Sequence, residues 1–457
     1  MRDTREVDTP YAASAAGADS MTREIFATPR AAEFFELKAL QAQTGQPADK
    51  FDAVVVKELI DNALDAAESV DGQPEIGLAM DDDGERVVIT VTDNGPGIAP
   101  GLITQVLDFS VLVSDKAAYR SPTRGLQGNA LKTIIGIPTA LGSQAPVVIE
   151  SRGTRHSITA GVDPAGELRI DHEQSESPVT QGASIAVTVP SRHSNADAQS
   201  WARAFALYNP HAQIRVYLGD STASSERVSY KPTVGDGWRK PLPSDPTSPH
   251  WYDLAALERL VFAHINKAKR PGGRDVPIGE FVRSFLGLSS TAKARKVCAA
   301  LVDIERLSDF DKHQELVGVL LTGMQTESRA PKPAALGQVP ENHYRAAFTD
   351  WYGLERFWFK RAAVMDGAVP WIMEVAVAET EVPGEMFYGI NYSPAFDDPL
   401  SRLPLAAGAL SATGAASFLR RLDAYPDGES CRAAAIHLIS PTVSFLDKGK
   451  TTLAVRQ

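Results

Sequence analysis

The stretch VVVKELIDNALDAAE, residues 54–68, decides the reading of this chain. Apolar residues recur on nearly every side of it and neither Gly nor Pro interrupts, so it predicts a mostly buried helix. The polar exceptions are ordered. Glu58, Asn62 and Asp65 fall at i, i+4 and i+7, and at 3.6 residues per turn they form one stripe. Val54, Val55, Leu59, Ile60, Ala63, Leu64, Ala66 and Ala67 bury the remainder. A solvated face is the ordinary explanation of such a stripe. Carboxylate and amide oxygens are also what a hard cation and an attacking water need, as ligands for the one and a base for the other. Both explanations stand at this point.

Outward from that helix, residues 31–43 read as a short amphipathic helix, and Asp49 as the N-cap of the central one. Residues 1–30 lack periodicity and read as a flexible arm. On the other side, Asp81-Asp82-Asp83-Gly84 is turn chemistry, and RVVITVT, residues 86–92, is a β-branched strand. That strand ends in Asp93-Asn94-Gly95-Pro96-Gly97. A carboxylate at a strand end can accept from an exocyclic amine, and glycines let backbone approach a ligand closely; a plain turn is the alternative. A second glycine element, Gly125-Leu126-Gln127-Gly128-Asn129-Ala130-Leu131-Lys132, precedes a helical run. Backbone N–H groups at a helix start form a nest for phosphate. Strands near 146–151, 156–160 and 184–189 complete an α+β unit, a helix layer over a mixed sheet.

Bulk properties set limits. At 457 residues, 43% hydrophobic and 23% charged, the chain is long enough for two or three cored domains. The net charge of −11 neither argues for nucleic acid nor excludes it; contact would need a local basic patch. Such patches occur at Lys267, Lys269, Arg270 and Arg274 and at Lys293, Arg295 and Lys296, with a solvated face as the alternative. Cys298 and Cys431 match no metal spacing and read as inert buried thiols of a reduced compartment. The absence of a signal peptide or an apolar run of membrane length predicts a cytoplasmic protein, nucleoid-associated if it binds DNA, with no membrane partner.

A helix with ExxxN, then DxGxG after a strand, then a Gly-rich loop opening a helix resembles the Bergerat-fold (GHKL) ATPase superfamily. The resemblance implies that Glu58 activates the attacking water, Asn62 ligates magnesium and Asp93 binds adenine. Gly95, Gly97, Gly125, Gln127, Gly128, Asn129, Ala130 and Lys132 would shape the ATP pocket and its lid. One branch is closer. RGLQGNALK, YNPHAQI and SPHWYDLAALERL followed by PIGEFVRSFLGLSSTAKARKV are similar to the B subunit of topoisomerase VI and its helix-two-turns-helix insert. VSFLDKGKTTLA, residues 443–454, is similar to the transducer segment whose lysine reaches the γ-phosphate; without gaps that lysine is Lys450, with Lys448 as the fallback.

The implied organisation is a Bergerat-fold domain at 31–215, a helix-two-turns-helix-like insert at 250–305 and an α/β transducer-like domain at 306–457. The implied function is a magnesium-dependent ATPase subunit of a type IIB topoisomerase-like assembly. It would dimerise when ATP binds, work with a DNA-cleaving A-like partner, and contact duplex DNA through the basic insert. A stand-alone ATP-gated clamp or regulator is the alternative. No Tyr sits in a cleavage context and no Toprim-like acidic cluster is visible, so the chain is not expected to cut DNA. A histidine kinase is a weaker match, since no phosphoacceptor-His hairpin precedes the ATP domain. Three departures from the family pattern matter. Ala130 replaces a lid glycine, and a left-handed L-residue there would cost roughly 1–2 kcal/mol. Ala183 stands where a Thr is usual. The chain ends seven residues after Lys450, where the family's transducer continues into a stalk, so a shortened chain or signalling through another surface is expected.

Overall fold

The computed structural model describes residues 30–109, 118–124, 130–163, 165–218, 226–235, 237–396, 398 and 431–443. Its first unit contains α1 (Leu37–Thr44), α2 (Phe51–Ala67), β1 (Glu75–Asp82), β2 (Arg86–Asp93), α3 (Pro100–Val106), α4 (Ala130–Ala140), β3 (Val147–Ser151), β4 (Thr154–Val162), β5 (Leu168–Glu176), β6 (Ala183–Pro190), α5 (Ala198–Tyr208), β7 (Gln213–Leu218) and β8 (Glu226–Tyr230). The eight strands form one sheet in the order β5-β4-β3-β6-β2-β1-β7-β8. Every neighbouring pair is antiparallel except β1 with β7. The parallel pair needs a crossover, and α5 leads into β7 to close it.

Helices α2, α4 and α5 cover one face of this mixed sheet, the α+β arrangement expected from the sequence. The alternation of buried and half-buried residues in β6 shows why one face suffices: Ala183, Ile185, Val187 and Val189 point inward. Leu59, Ile60 and Leu64 of α2 are at most 1% exposed, and each such side chain contributes about 1.5–3 kcal/mol through burial.

Two local expectations need correction. Residues 31–43 are not one helix: a 3-10 turn at Arg30–Phe34 is separated from α1 by Glu36, whose backbone is extended. Asp49 does not cap α2, which opens from a 3-10 turn at Ala48–Lys50 without a side-chain cap. Asp52 anchors the helix start instead. Its carboxylate accepts from Ser194 Oγ and from the backbone N–H groups of Asn195 and Ala196.

The chain then builds a helical unit from α6 (Leu254–Ala268), α7 (Ile278–Arg283), α8 (Thr291–Cys298) and α9 (Leu316–Thr326) around Leu257, Leu260, Phe281, Leu320 and Met324. Several of its basic groups are engaged internally: Lys269 with Asp311, Arg274 with Glu280, Lys296 with Glu327, and Lys293 with the Gly287 carbonyl. Cys298 is half-buried and Cys431 exposed, so the expectation of two buried thiols is wrong for Cys431. No helix among the described residues is long and apolar enough to cross a membrane.

Beyond α10 (Glu341–Tyr352), a second sheet contains β9 (Leu354–Asp366), β10 (Val369–Thr380), β11 (Met386–Ile390), β12 (Ser393–Pro394) and β13 (Arg432–Ile439), ordered β12-β11-β13-β10-β9. β11 and β13 run parallel. The sequence of residues 410–422 reads as a crossover helix between strands, and those residues lie outside the described ones. The N-terminal arm does so as well, apart from Arg30.

The two sheets are joined through the end of α5. Tyr208 is fully buried, donates to the Ile436 carbonyl at 3.2 Å and lies so close to Gly389 that a Cβ there would sit 2.6 Å from its ring. Arg203 pairs with Glu385. His343 of α10 places Nε2 3.0 Å from the Leu207 carbonyl and Nδ1 2.5 Å from Thr233 Oγ1. Both contacts are met by one neutral tautomer: Nε2–H donates to the carbonyl, and Nδ1 accepts from the hydroxyl. Burial pushes this imidazole down to about 4, outweighing the neighbouring carbonyls.

This sets a pH dependence with a definite sign. Below the ordinary value of 6.5 the unfolded chain takes up a proton that the folded chain refuses until about 4. The contribution of His343 is therefore whole above 6.5 and is lost as pH falls from 6.5 through 4. Urea midpoints measured across that window should decline more steeply for the wild type than for His343→Gln.

Candidate active site

Helix α2 crosses the sheet over β2 and β1 and carries the polar stripe that marked it in the sequence. The three side chains have different fates. Glu58 is 9% exposed, and one of its carboxylate oxygens lies 3.5 Å from Lys57 Nζ. Asn62 is half-buried, and among the described residues nothing hydrogen-bonds its amide. Asp65 pairs with Arg124 at 3.2 Å.

The turn after β2 is tucked beneath α2. Gly95 admits no side chain, since a Cβ would lie 2.7 Å from the Ala66 carbonyl carbon. Gly97 has φ +71°, and a Cβ would lie 2.5 Å from Ser151 Oγ. That hydroxyl pins the turn, donating to the Gly182 carbonyl at 2.7 Å and accepting from Ile98 N–H at 2.9 Å. Asn94 closes the other side, its carbonyl accepting from Glu75 N–H and its amide donating to the Gln73 carbonyl.

Asp93 is held at the head of this turn. Its carboxylate accepts from Gly95 N–H at 2.8 Å and is also hydrogen-bonded to the backbone of Ala183, its cross-strand neighbour. Burial pushes the carboxyl up to about 6, against the pull of those two hydrogen bonds. An aspartate so placed is a poised acceptor for a polar edge presented to the end of β2.

Of the second glycine element, Gly125, Gln127, Gly128 and Asn129 lie outside the described residues, as do Lys448 and Lys450. Ala130 is described. It opens α4 and is not among the residues with positive φ, so the expected strain does not arise at this position. Lys132 is 2% exposed and donates to the Asp108 carbonyl, with Nζ 5.7 Å from the Phe109 ring centroid. It would have to leave that carbonyl to meet a phosphate.

A cluster of charges that the polar stripe did not disclose lies beside it. Arg124 is 2% exposed and pairs with Glu68 at 2.5 Å as well as with Asp65, while it donates to Asn209 Oδ1 at 2.5 Å. Glu68 also accepts from Lys240 at 2.7 Å and contacts His211 at 2.9 Å. Burial alone would raise the Glu68 carboxyl, but Arg124, Lys240 and His211 hold it well below the usual range. One turn back on α2, Lys57 bonds Asp61 at 2.9 Å as well as approaching Glu58. Burial opposes its charge, yet the attraction of these two carboxylates raises it above its ordinary value. Arg124 directly precedes Gly125, the one hint in the sequence that it anchors the root of the glycine-rich segment.

Residues 53–193 match the family model of the histidine kinase-, DNA gyrase B- and HSP90-like ATPases, so the stretch from α2 to β6 is an ATPase domain of that class. The more particular likeness is to proteins named as the B subunit of type 2 DNA topoisomerase 6. That of Natronomonas pharaonis is 32% identical over 209 residues, 43% of this chain and 25% of the relative. That of Thermococcus gammatolerans is 27% identical over 289 residues, 59% of this chain and 47% of the relative. That of Saccharolobus shibatae is 26% identical over 286 residues, 59% of this chain and 50% of the relative. The chain thus spans a quarter to a half of the length of these curated relatives, and its ATPase domain is of the topoisomerase VI B-like type.

Arg124 offers a test of the cluster. Arg124→Met leaves Asp65 and Glu68 short of a buried cation, and removing one partner of such a pair destabilises by about 3–5 kcal/mol. Denaturant titration followed by circular dichroism should read a loss of that size.

Proposed function

We propose that this protein is the magnesium-dependent ATP-binding and hydrolysing subunit of a topoisomerase VI-like assembly, in which ATP-gated dimerisation controls a DNA-cleaving partner. What supports the reading is that Glu58 and Asn62 sit one turn apart on α2 while Gly95 of the Asp93 turn packs against Ala66, one turn further along the same helix. Glu58 is the general base that orients the attacking water, and Asp93 accepts from the adenine amine. Gly95 and Gly97 shape the pocket by letting the Asp93 turn pack against Ala66 and Ser151, and Gly125, Gln127, Gly128, Asn129, Ala130 and Lys132 cradle the phosphates before and at the start of α4. Lys450 reaches the γ-phosphate from the second domain.

Asn62 suits the metal: its amide oxygen is a hard donor without a competing partner among the described residues. No group of three His, Cys, Asp or Glu able to hold a metal is assembled among the described residues, so Asn62 is the residue that would hold the ion. Magnesium, when bound, supplies neutralisation of the charge that spreads over the transferred phosphoryl oxygens.

A second reading, a stand-alone ATP-gated clamp or regulator acting on a non-topoisomerase effector, draws on one observation. Lys269, Arg274 and Lys296 of the helical unit already face carboxylates, which weakens the case for a phosphate-binding surface. Supercoil relaxation that requires both this chain and a co-purified cleavage subunit supports the first reading. An ATPase that dimerises with ATP and leaves DNA unbound at low salt supports the second.

Two further experiments address the site. Glu58→Gln should retain ATP binding while reducing turnover by at least about 100-fold, the usual contribution of a general base; unchanged hydrolysis would assign the base elsewhere. Asp93 gives nucleotide binding a pH dependence. Protonation converts its acceptor oxygen to a hydroxyl, so affinity for an ATP analogue should fall as pH drops through about 6. Calorimetric dissociation constants measured from about one pH unit below that value to two above it would show the fall, and a flat profile would remove Asp93 from the adenine contact.

A further inference from the structure

The stripe residue Glu58 is joined to the second domain by a short chain of polar contacts. Lys57 Nζ lies 3.5 Å from Glu58 and 2.9 Å from Asp61 Oδ2. The same Asp61 oxygen accepts from Ser393 Oγ at 2.7 Å, and Ser393 belongs to β12 of the second sheet. All four side chains are buried: Lys57, Asp61, Ser393 and Glu58 are 2%, 1%, 8% and 9% exposed. In so dry a setting a lysine shared between two carboxylates responds to whatever holds either of them.

The backbone is strained where it delivers Ser393. Asn391 and Tyr392 form a two-residue turn between β11 and β12 with φ of +49° and +67°. Such turns favour Asn followed by Gly, and a tyrosine in the left-handed region costs about 1–2 kcal/mol. The surroundings over-determine it. Tyr392 N–H donates to His437, its hydroxyl donates to the Leu336 carbonyl, and its own carbonyl accepts from Asn209. Asn391 exchanges two hydrogen bonds with Ser440. Strain retained at a domain junction, with a hydroxyl presented to a buried aspartate, is the signature of a placed contact.

We propose that Ser393, Asp61 and Lys57 are positioning residues that couple the seating of the second domain to the orientation of Glu58. The inference rests on the assignment of Glu58 as the base. When Ser393 is seated, Asp61 is fixed and Lys57 holds the Glu58 carboxylate in one rotamer. When Ser393 withdraws, Asp61 draws Lys57 wholly to itself and Glu58 loses that tether. Hydrolysis thereby depends on a contact that lies outside the ATPase domain.

The test compares Ser393→Ala, Ser393→Thr and Lys57→Arg in the full chain, reading kcat, KM for ATP, the dissociation constant of a non-hydrolysable ATP analogue and the melting temperature. Ser393→Ala should lower kcat about tenfold, the scale of one hydrogen bond to a charged group, with KM, analogue affinity and melting temperature unchanged. Ser393→Thr, which keeps the hydroxyl, should restore kcat, and Lys57→Arg should retain most of it. Wild-type kcat in Ser393→Ala overturns the proposal. So does a fall in kcat matched by equal losses of analogue affinity and melting temperature, the mark of a merely structural contact. Glu58→Gln run alongside separates the two levels: normal turnover there removes the base assignment, whereas loss of turnover there with an unaffected Ser393→Ala removes the coupling alone.

Discussion

The arrangement depends on a buried ion cluster on one side of α2. Arg124, Lys240 and Lys57 meet Glu68, Asp65 and Asp61 in a region where each of the three cations is at most 3% exposed. Taking such charges out of water costs several kcal/mol per ion, recovered only when every partner is in place. That requirement is structural information. Arg124 lies at the root of the glycine-rich segment, Glu68 just past the end of α2, His211 before β7, and Lys240 in the connection leading to the helical unit. The cluster therefore fixes three separate stretches of chain against one helix, which hydrophobic contact alone would do with less geometric specificity.

The same helix shows how far a sequence can be read and where reading stops. Periodicity marks α2 because the apolar majority makes a pattern, and the Asp93 turn is visible because glycine has few other uses at that spacing. Glu58 and Asn62 stand out as exceptions to the pattern. Lys57 and Asp61 do not, since a lysine and an aspartate four residues apart on a helix look the same whether they are solvated or buried. Their burial is decided by what lies across the gap, here Arg124 and Ser393, which are 63 to 336 residues away in sequence. The strands β1, β5 and β9 escape sequence reading for related reasons. β5 is a largely exposed edge strand whose inward positions, Leu168 and Ile170, are only half-buried, and β9 is strongly charged.

Junctions between domains are the hardest feature to see in advance. Tyr208 reads as the last residue of an amphipathic helix, and nothing local says that its ring will fill the space over Gly389. Nothing in the sequence marks His343, yet it is 4% exposed and bonded to two other segments. Ser393 is a serine at a strand start. Each acquires its meaning from a partner supplied by another part of the chain, and the strained Asn391-Tyr392 turn exists only because those partners hold it.

Among the described side chains, Glu58, Asp61, Asp65 and Glu68 face Lys57, Arg124 and Lys240, while burial lowers His211 and favours its neutral form. Lys240 pairs with Glu68, whereas Arg124 is shared by Asp65 and Glu68 and Lys57 by Glu58 and Asp61. Lys57 divides its charge unequally, lying 3.5 Å from Glu58 and 2.9 Å from Asp61. A carboxylate in a tight bidentate pair has its oxygens committed to its partner, whereas one that meets a cation at longer range keeps an acceptor site open to water. On the proposed reading this is why Lys57 is shared and not dedicated. Asp61 holds the lysine at 2.9 Å and leaves it 3.5 Å from Glu58, so the base is oriented by the lysine without being locked into a close pair with it.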